Sequence, residues 1–303
     1  VLDVSRNSIF DADTYPVVTI LCKSFNTTFY EFTTVDKYKI EHKFSSSQLS
    51  ELPENNWGFI LSAKYELTKK VLFKSKPILE VCKINATSTA SEADEFHNSI
   101  YNDEKIGLKL INTGTINPYC NFWGNRKLTD KGENYLYPML PNNSKTLGTN
   151  RYHLYNSSKI IIAKMSLHLE GFWDEKGEYA SINTNCLHSI KINPLKLLGW
   201  IHSKLFHYIY ECYFEGLRMA GDYLPFTAPY LSCMCVPLNI NSLEIENLVN
   251  SILSAKRLSS DTDTTALESE IDLMVYHLYG LTYDEVLIVD PQTPITQEEY
   301  NKK

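Results

Sequence analysis

The sequence predicts an α+β protein: a mostly antiparallel β domain with one long packed helix, followed by a C-terminal helical segment. Three observations carry this. Short runs of β-branched and aromatic residues, separated by turn residues, fill most of the chain before Pro194. Extended apolar periodicity of the helical kind appears after it. Charge divides in the same direction, since residues 1–240 hold 25 Lys/Arg against 24 Asp/Glu and residues 241–303 hold 4 against 12. Strands first and acidic helices last is the segregated order of an α+β chain.

Ile9 to Leu21 reads as a short approach, a turn at Asp11-Ala12-Asp13 and the strand Tyr15 to Leu21, and Phe29 to Ile40 alternates as a second strand. The polar stretch Ser45 to Asn56 marks a boundary. Glu66 to Lys74 fits a short helix, followed by Pro77 and the apolar run Ile78 to Cys82. Asp94-Glu95-Phe96, with little periodicity, falls in a loop. Lys109 to Ile116 is extended, punctuated by Gly114, and ends at the turn pair Asn117-Pro118. Pro138 to Asn150 reads as a loop. Lys159 to Met165 is a buried-type strand, Phe172 to Tyr179 a hairpin around Asp174-Glu175-Lys176-Gly177, and Ser181 to Ile192 a further strand.

Pro194 suits the first turn of the long helix, which runs to about Phe214 with Leu198, Ile201, Leu205, Ile209 and Cys212 inward. Ser242 starts a second helix, with Ile245, Leu248, Val249, Ile252 and Leu253 at core spacing. Leu267, Ile271, Met274, Val275 and Leu278 mark a third, stopped by Gly280. Thr282-Tyr283-Asp284-Glu285 is a capping box for a last short helix.

With 303 residues, 43% apolar, 12% aromatic and 21% charged, the composition excludes disorder, collagen-like sequence and coiled coil. Seven Cys is an odd number without zinc-like pairing, which argues against a disulfide framework and for a reducing compartment. The longest apolar runs are strand-length, so neither a transmembrane helix nor a signal peptide is expected. Opening without Met, on a strand approach, the chain reads as a piece of something longer. The net charge of -7 hides a basic stretch, because Lys105 to Lys164 carries nine Lys/Arg against Asp130 and Glu133 alone. Tyr119, Phe122, Trp123, Tyr135, Tyr137, Tyr152 and Tyr155 are interleaved with it. Such a surface tracks a phosphate backbone; the alternative is a solvated loop region.

Catalytic patterns are scarce. Phosphate-cradling glycine loops, dinucleotide fingerprints and nucleophile elbows do not occur. His202, His207 and Cys212 lie five apart, which turns successive side chains by about 140° on a helix, so they share no face for a metal. Cys233 and Cys235 lack a second pair, and buried thiols are the default. Glu41-His42-Lys43 has the Glu-x-Lys form of many metal-dependent nucleases, without an Asp at a strand end before it. Asn117-Pro118-Tyr119 lacks the second Pro of the amino-methyltransferase loop, in which an aromatic stacks on a flipped base. Binding signals are richer. Lys109 to Tyr119 sets small hydroxyl and amide groups beside Gly114, and Trp123-Gly124-Asn125-Arg126-Lys127 follows. A Gly admits a phosphate or base edge, Asn reads adenine and Arg or Lys reads guanine. Alternatively, Thr113 to Thr115 is a strand end and turn.

These residues carry a resemblance. The run Ile111 to Tyr119 with Trp123-Gly124 resembles the TaqI-like C-terminal specificity domain, the target-recognition region of N6-adenine DNA methyltransferases and type IIG restriction–modification enzymes. Ile84-Asn85-Ala86-Thr87 through Glu92-Ala93 to Phe96 is similar to its early loop. Lys159 to Lys164 and Phe172 to Tyr179 are similar to its central strand and hairpin, and Asn183-Thr184-Asn185 and Leu197 to Leu205 to the strand and helix that follow. His202 stands there in place of the family's Asn. Glu270 to Thr282 is similar to the closing helical signature, and Ser8 to Ala12 with Val17 to Leu21 to the last methyltransferase strands.

The resemblance implies a division into residues 1–40, a remnant of a methyltransferase domain; 41–240, a DNA target-recognition domain; and 241–303, an acidic helical segment facing the parent enzyme. It implies double-stranded DNA and the parent's methyltransferase domain as partners, no membrane, and a cytoplasmic, prokaryotic setting. No catalysis or cofactor is expected in this fragment. S-adenosylmethionine, with Mg2+ a further candidate, would belong to the parent, a site-specific adenine-N6 DNA methyltransferase with or without endonuclease activity. Thr113, Gly114, Thr115 and Tyr119 match the central motif, and Asn183 to Asn185 the polar strand. Charge and chemistry add Lys109, Asn112, Trp123, Arg126, Lys127 and Lys164 as DNA-binding candidates. A protein-interaction module with an incidental basic patch is the alternative, and a hydrolase centred on Glu41 and Lys43 a further rival.

Overall fold

The protein is α+β, with mostly antiparallel sheets and a helical C-terminal segment. The computed structural model describes residues 65–240 and 242–302, together with the backbone of four strands, β1 (Leu2–Asp3), β2 (Val17–Val18), β3 (Phe29–Thr34) and β4 (Ile40–Ser45). The expected elements at Ile9–Pro16 and Thr19–Leu21, and all but the first residue of the Ser45–Asn56 boundary, lie outside the described residues. Two compact units result, one of residues 1–73 with 208–224 and one of 74–207 with 225–303.

In the first unit the strands pair in the order β2-β1-β3-β4, with β1 parallel to β3 and the other pairs antiparallel. Helix α1 (Tyr65–Phe73) buries Leu67, Thr68 and Val71, the one-sided spacing of a surface helix. At 208–224, Arg218 bonds both the Glu211 carboxylate and the Asp222 carbonyl, which closes the loop on itself.

The second unit holds the remaining architecture. Strands β5 (Ser75–Pro77), β6 (Lys83–Ala86), β7 (Tyr101–Asn102) and β8 (Leu108–Asn112) flank helix α2 (Ala90–His97). Asp94 to Phe96 is thus helical and not a loop. Thr89 and Glu92 form a capping box at the first turn, buried Phe96 with Ala93 docks the helix on the core, and Glu92 and His97 tie it to Arg151 and Asp130. Hairpins β9–β10 (Ile116–Asn117, Cys120–Asn121) and β11–β12 (Leu128–Asp130, Glu133–Tyr135) follow. The expected loop at Pro138–Asn150 contains β13 (Pro138–Leu140), helix α3 (Ser144–Leu147) and the start of α4 (Thr149–Tyr155). All three residues of β13 are buried, and the Asn143 side chain caps α3.

Strands β14 (Lys159–Ala163), β15 (Met165–Ser166), β16 (Gly171–Asp174), β17 (Tyr179–Ile182) and β18 (Thr184–His188) complete two four-stranded sheets. One runs β17-β8-β13-β7, with β17 parallel to β8, and the other runs β16-β14-β18-β6, antiparallel throughout. Phe172 to Tyr179 is therefore not a hairpin: its turn exists, but β16 and β17 join different sheets. The reason lies in the turn. The Asp174 carboxylate accepts from Glu178 N (3.0 Å), Tyr179 N (3.2 Å) and the buried Lys159 ammonium (2.5 Å), which fixes the chain as it leaves one sheet. Gly177, at φ +68°, lies so close to Asn156 that a Cβ would sit 2.4 Å from its carbonyl carbon. The strand expected from Ser181 likewise splits at Asn183, whose φ of +54° carries the chain from one sheet to the other.

One face of the first sheet packs Leu108, Leu110, Ala180 and Ile182 against Phe96 and Tyr155 of the helices. Its other face meets the second sheet through Ile111, Ile161 and Phe172. The long helix expected from Pro194 is two helices, α5 (Pro194–His202) and α6 (Lys204–Phe214). Extended Ser203 interrupts them, its hydroxyl donating to Trp200 O and accepting from Phe206 N, while the Asp272 carboxylate accepts from Lys204 N (2.8 Å). Side chains thereby take over as the cap of a new helix start.

After strand β19 (Leu224–Pro225), helix α7 (Ala228–Ser232) and strand β20 (Cys235–Pro237), three of the remaining helices follow their sequence signals. These are α8 (Leu243–Leu258, capped by Ser242), α9 (Thr265–Tyr279, ended by Gly280) and α10 (Tyr283–Val289, with its capping box); α11 (Gln297–Lys302) ends the chain described. The helical segment is not set apart from the strands. Gly199 of α5 lets α8 so close that a Cβ there would meet Ile245 and Val249 at 3.0 and 3.1 Å, and α8 also touches β10.

Candidate nucleic-acid interface

At the end of β8, residues Thr113–Thr115 form one turn of 3-10 helix, and this turn ties three strand ends together. The Thr113 hydroxyl donates to Asn183 O (2.5 Å), at the β17–β18 junction, and accepts from Lys164 N (3.0 Å), just past β14. Arg126 donates to Gly114 O (3.1 Å) while its guanidinium lies 3.9 Å over the Phe122 ring. Asn112 points its amide nitrogen at Thr129 O (3.5 Å), and its Oδ1 is buried with no hydrogen-bond partner among the described residues. Asn112, Thr113, Gly114, Arg126, Lys164 and Asn183 are therefore brought together, from positions up to 71 residues apart, with Lys127 beside them in sequence. The Lys127 and Lys164 ammonium groups are exposed and make no ion pair among the described residues.

Gly114 is exposed, has no positive φ, and a Cβ there would meet only Asn112 Oδ1, at 3.6 Å. Neither backbone geometry nor crowding requires glycine at that position.

The other candidates have different surroundings. Lys109 sits 5.4 Å over the Trp123 ring and 5.2 Å over Tyr179, with Glu178 at 3.7 Å, so its charge is already engaged. Trp123 is half-buried, and its indole donates to Pro138 O (2.9 Å). Three expected contact residues are buried and build the core. Thr115 bonds the backbone of Asn112. Asn185 donates to Phe226 O (2.7 Å) and accepts from Ala228 N (3.1 Å), capping α7 from a distance. Tyr119 occupies the left-handed region (φ +63°) in the β9–β10 turn and stacks on His202 at 4.3 Å. A hydroxyl, an amide or a ring that could serve a base serves the interior equally well, and burial decides.

Burial also sets the titration of this neighbourhood. It holds the Tyr119 phenol well above its ordinary range and pushes His202 down to about 4. The Glu170 carboxyl is pushed up to about 7, with Arg126 pulling the other way. Among the described residues no group of His, Cys, Asp and Glu is arranged to hold a metal ion. Glu41 to Lys43 fall on β4, and their side chains lie outside the described residues.

Sequence reasoning missed a groove of about 670 Å3 between the β10 region, the β16–β17 turn and the C-terminal end of α8. Lys176, Lys256 and Arg257 line it; the last two are basic residues of the segment read as acidic. The chain matches no protein-family model, and its sequence matches none of the curated proteins.

Proposed function

We propose that this chain is the sequence-recognition part of a cytoplasmic, prokaryotic adenine-N6 DNA methyltransferase or bifunctional restriction enzyme, and that it binds duplex DNA through the tied strand ends around Gly114. Gly114 supports this reading most directly: an exposed glycine that the fold does not need, tied to Arg126 and next to Thr113, which bonds Asn183 O and Lys164 N, with Lys127 adjacent in sequence and neither lysine in an ion pair among the described residues. A glycine there admits a base edge or phosphate to the backbone. The cations position the duplex, and the Asn and Thr groups read it. The methyl donor belongs to the parent enzyme. No described helix is long and apolar enough to cross a membrane.

Selection of bound sequences from a random duplex pool, across a salt series, tests the proposal. The expected result is an enriched motif and a log–log salt slope that becomes shallower by about 0.9 for each of Arg126→Ala and Lys164→Ala. Gly114→Ala should leave melting unchanged and weaken duplex binding. Absence of duplex binding at low salt overturns the proposal and leaves a protein-interaction module as the reading to pursue.

A further inference from the structure

The groove beside the hairpin carries features that the duplex reading does not use. Its wall from β16 includes Trp173, half-buried, whose indole makes no hydrogen bond or ring contact among the described residues. Trp123 and Tyr179 line the same space and are held in place by Pro138 O, Tyr137 and Phe172. Two exposed cations stand on different walls, Lys176 on the β16–β17 turn and Arg257 in the last turn of α8, and neither has an ion-pair partner among the described residues. Lys256 is engaged differently: it donates to Ser260 O (3.3 Å) and Thr262 O (2.7 Å) and so fixes the loop that closes the groove. Of the acids nearby, Asp174 is neutralised by Lys159 and Glu178 faces Lys109, which leaves Glu175 exposed on the turn.

We propose that this groove takes up unstacked nucleotides of single-stranded DNA, with bases against Trp173 and its neighbouring rings and phosphates at Lys176 and Arg257. Flat aromatic surfaces beside separated cations suit stacked bases along a charged backbone and require no particular base. A volume of about 670 Å3 lies within the range of about 300–1,000 Å3 that holds small organic ligands, so a short run of nucleotides fits. Helical polarity favours Arg257 where it stands, in the last turn of α8. The β9–β10 hairpin borders the groove on one side and carries Tyr119 and Cys120 into its lining, while Arg126, next along the chain, faces Gly114. The groove proposal itself does not depend on duplex recognition.

The test uses the full chain and a labelled 12-nucleotide oligothymidylate, followed by fluorescence anisotropy over a salt series, with a 12-base-pair duplex measured in parallel. Wild type should bind the single strand. Trp173→Ala should bind it about tenfold more weakly. Lys176→Ala/Arg257→Ala, both surface changes, should make the salt slope shallower by about 1.4 with unchanged melting. Duplex affinity should stay within twofold in both variants, in contrast to the Gly114, Arg126 and Lys164 variants. No binding of oligothymidylate at 20 mM salt, or equal binding by the double variant, overturns the groove proposal. Single-strand binding without duplex binding keeps it and removes the duplex reading alone.

Discussion

Replacing Lys159 with Met should destabilise the protein by about 3–5 kcal/mol, the cost of removing one partner from a buried ion pair. Lys159 is fully buried on β14, and its ammonium donates to the Asp174 carboxylate (2.5 Å), Tyr155 O (2.7 Å) and Ser157 O (3.1 Å). Met fills much of the same volume, so cavity formation contributes little. What remains is a carboxylate with two backbone amides for company, and two carbonyls without a donor. Urea unfolding at pH 7, followed by fluorescence and circular dichroism, measures the loss; thermal melting should fall by about 10 °C. Because the pair is shielded from solvent, the loss should be the same in 0.05 and 1 M salt. Lys159→Met/Asp174→Asn should recover about half of it, since the stranded charge is gone and an acceptor for Glu178 N remains. A single variant within about 1 kcal/mol of wild type would refute the reasoning, as would a loss that vanishes in high salt. The consequence reaches the groove, because the same carboxylate holds the turn that bears Lys176.

Three further outcomes follow from the geometry. Asp272 and His202 should oppose each other in acid: burial raises Asp272 to about 7, so its contribution is complete below pH 4 and is lost as pH rises through 7, whereas His202, lowered to about 4, contributes above pH 6.5 and loses it as pH falls through 4. In stability–pH profiles, Asp272→Asn should therefore steepen the loss on acidification between pH 6.5 and 4, and His202→Gln the loss on alkalinisation over pH 4–7, each on the order of 3 kcal/mol; parallel profiles for wild type and both variants would show that neither group titrates as its burial dictates. Gly177→Ala should cost at least about 2 kcal/mol in urea unfolding, because a left-handed residue there also meets the Asn156 backbone; a neutral change would mean that the turn relaxes freely. Thr113→Val should cost about 1–2 kcal/mol and loosen the strand ends, seen as faster hydrogen exchange at Lys164 N, with Thr113→Ser restoring protection; unchanged exchange in the Val variant would rule out the tie.

Much of this architecture was legible because its signals are local. Ser242, Gly280 and the Thr282–Glu285 box act through backbone groups within a few residues, and the helices start and stop where they stand. Thr89–Glu92 is the same motif, but the short helix behind it buries little beyond Phe96 and so shows almost no apolar periodicity. The hairpin at 172–179 failed for a different reason: its turn chemistry is local, but the choice of strand partner is made by Lys159 and by the parallel pairing of β17 with β8, neither of which leaves a mark in the hairpin itself. Among the site candidates the ambiguity is chemical. Asn183 and Asn185 are two apart in one polar run, yet the first is exposed at a left-handed junction and the second bonds Phe226 O in the interior. Averaged charge hides a local arrangement in the C-terminal segment. Residues 241–303 are acidic in sum, but α8 sorts its charges along its axis, with Glu244 and Glu246 in the first turn and Lys256 and Arg257 in the last. The helix dipole favours that arrangement. It places two cations in the lining of the groove within a segment that is acidic in sum, a local arrangement that a total over the segment does not show.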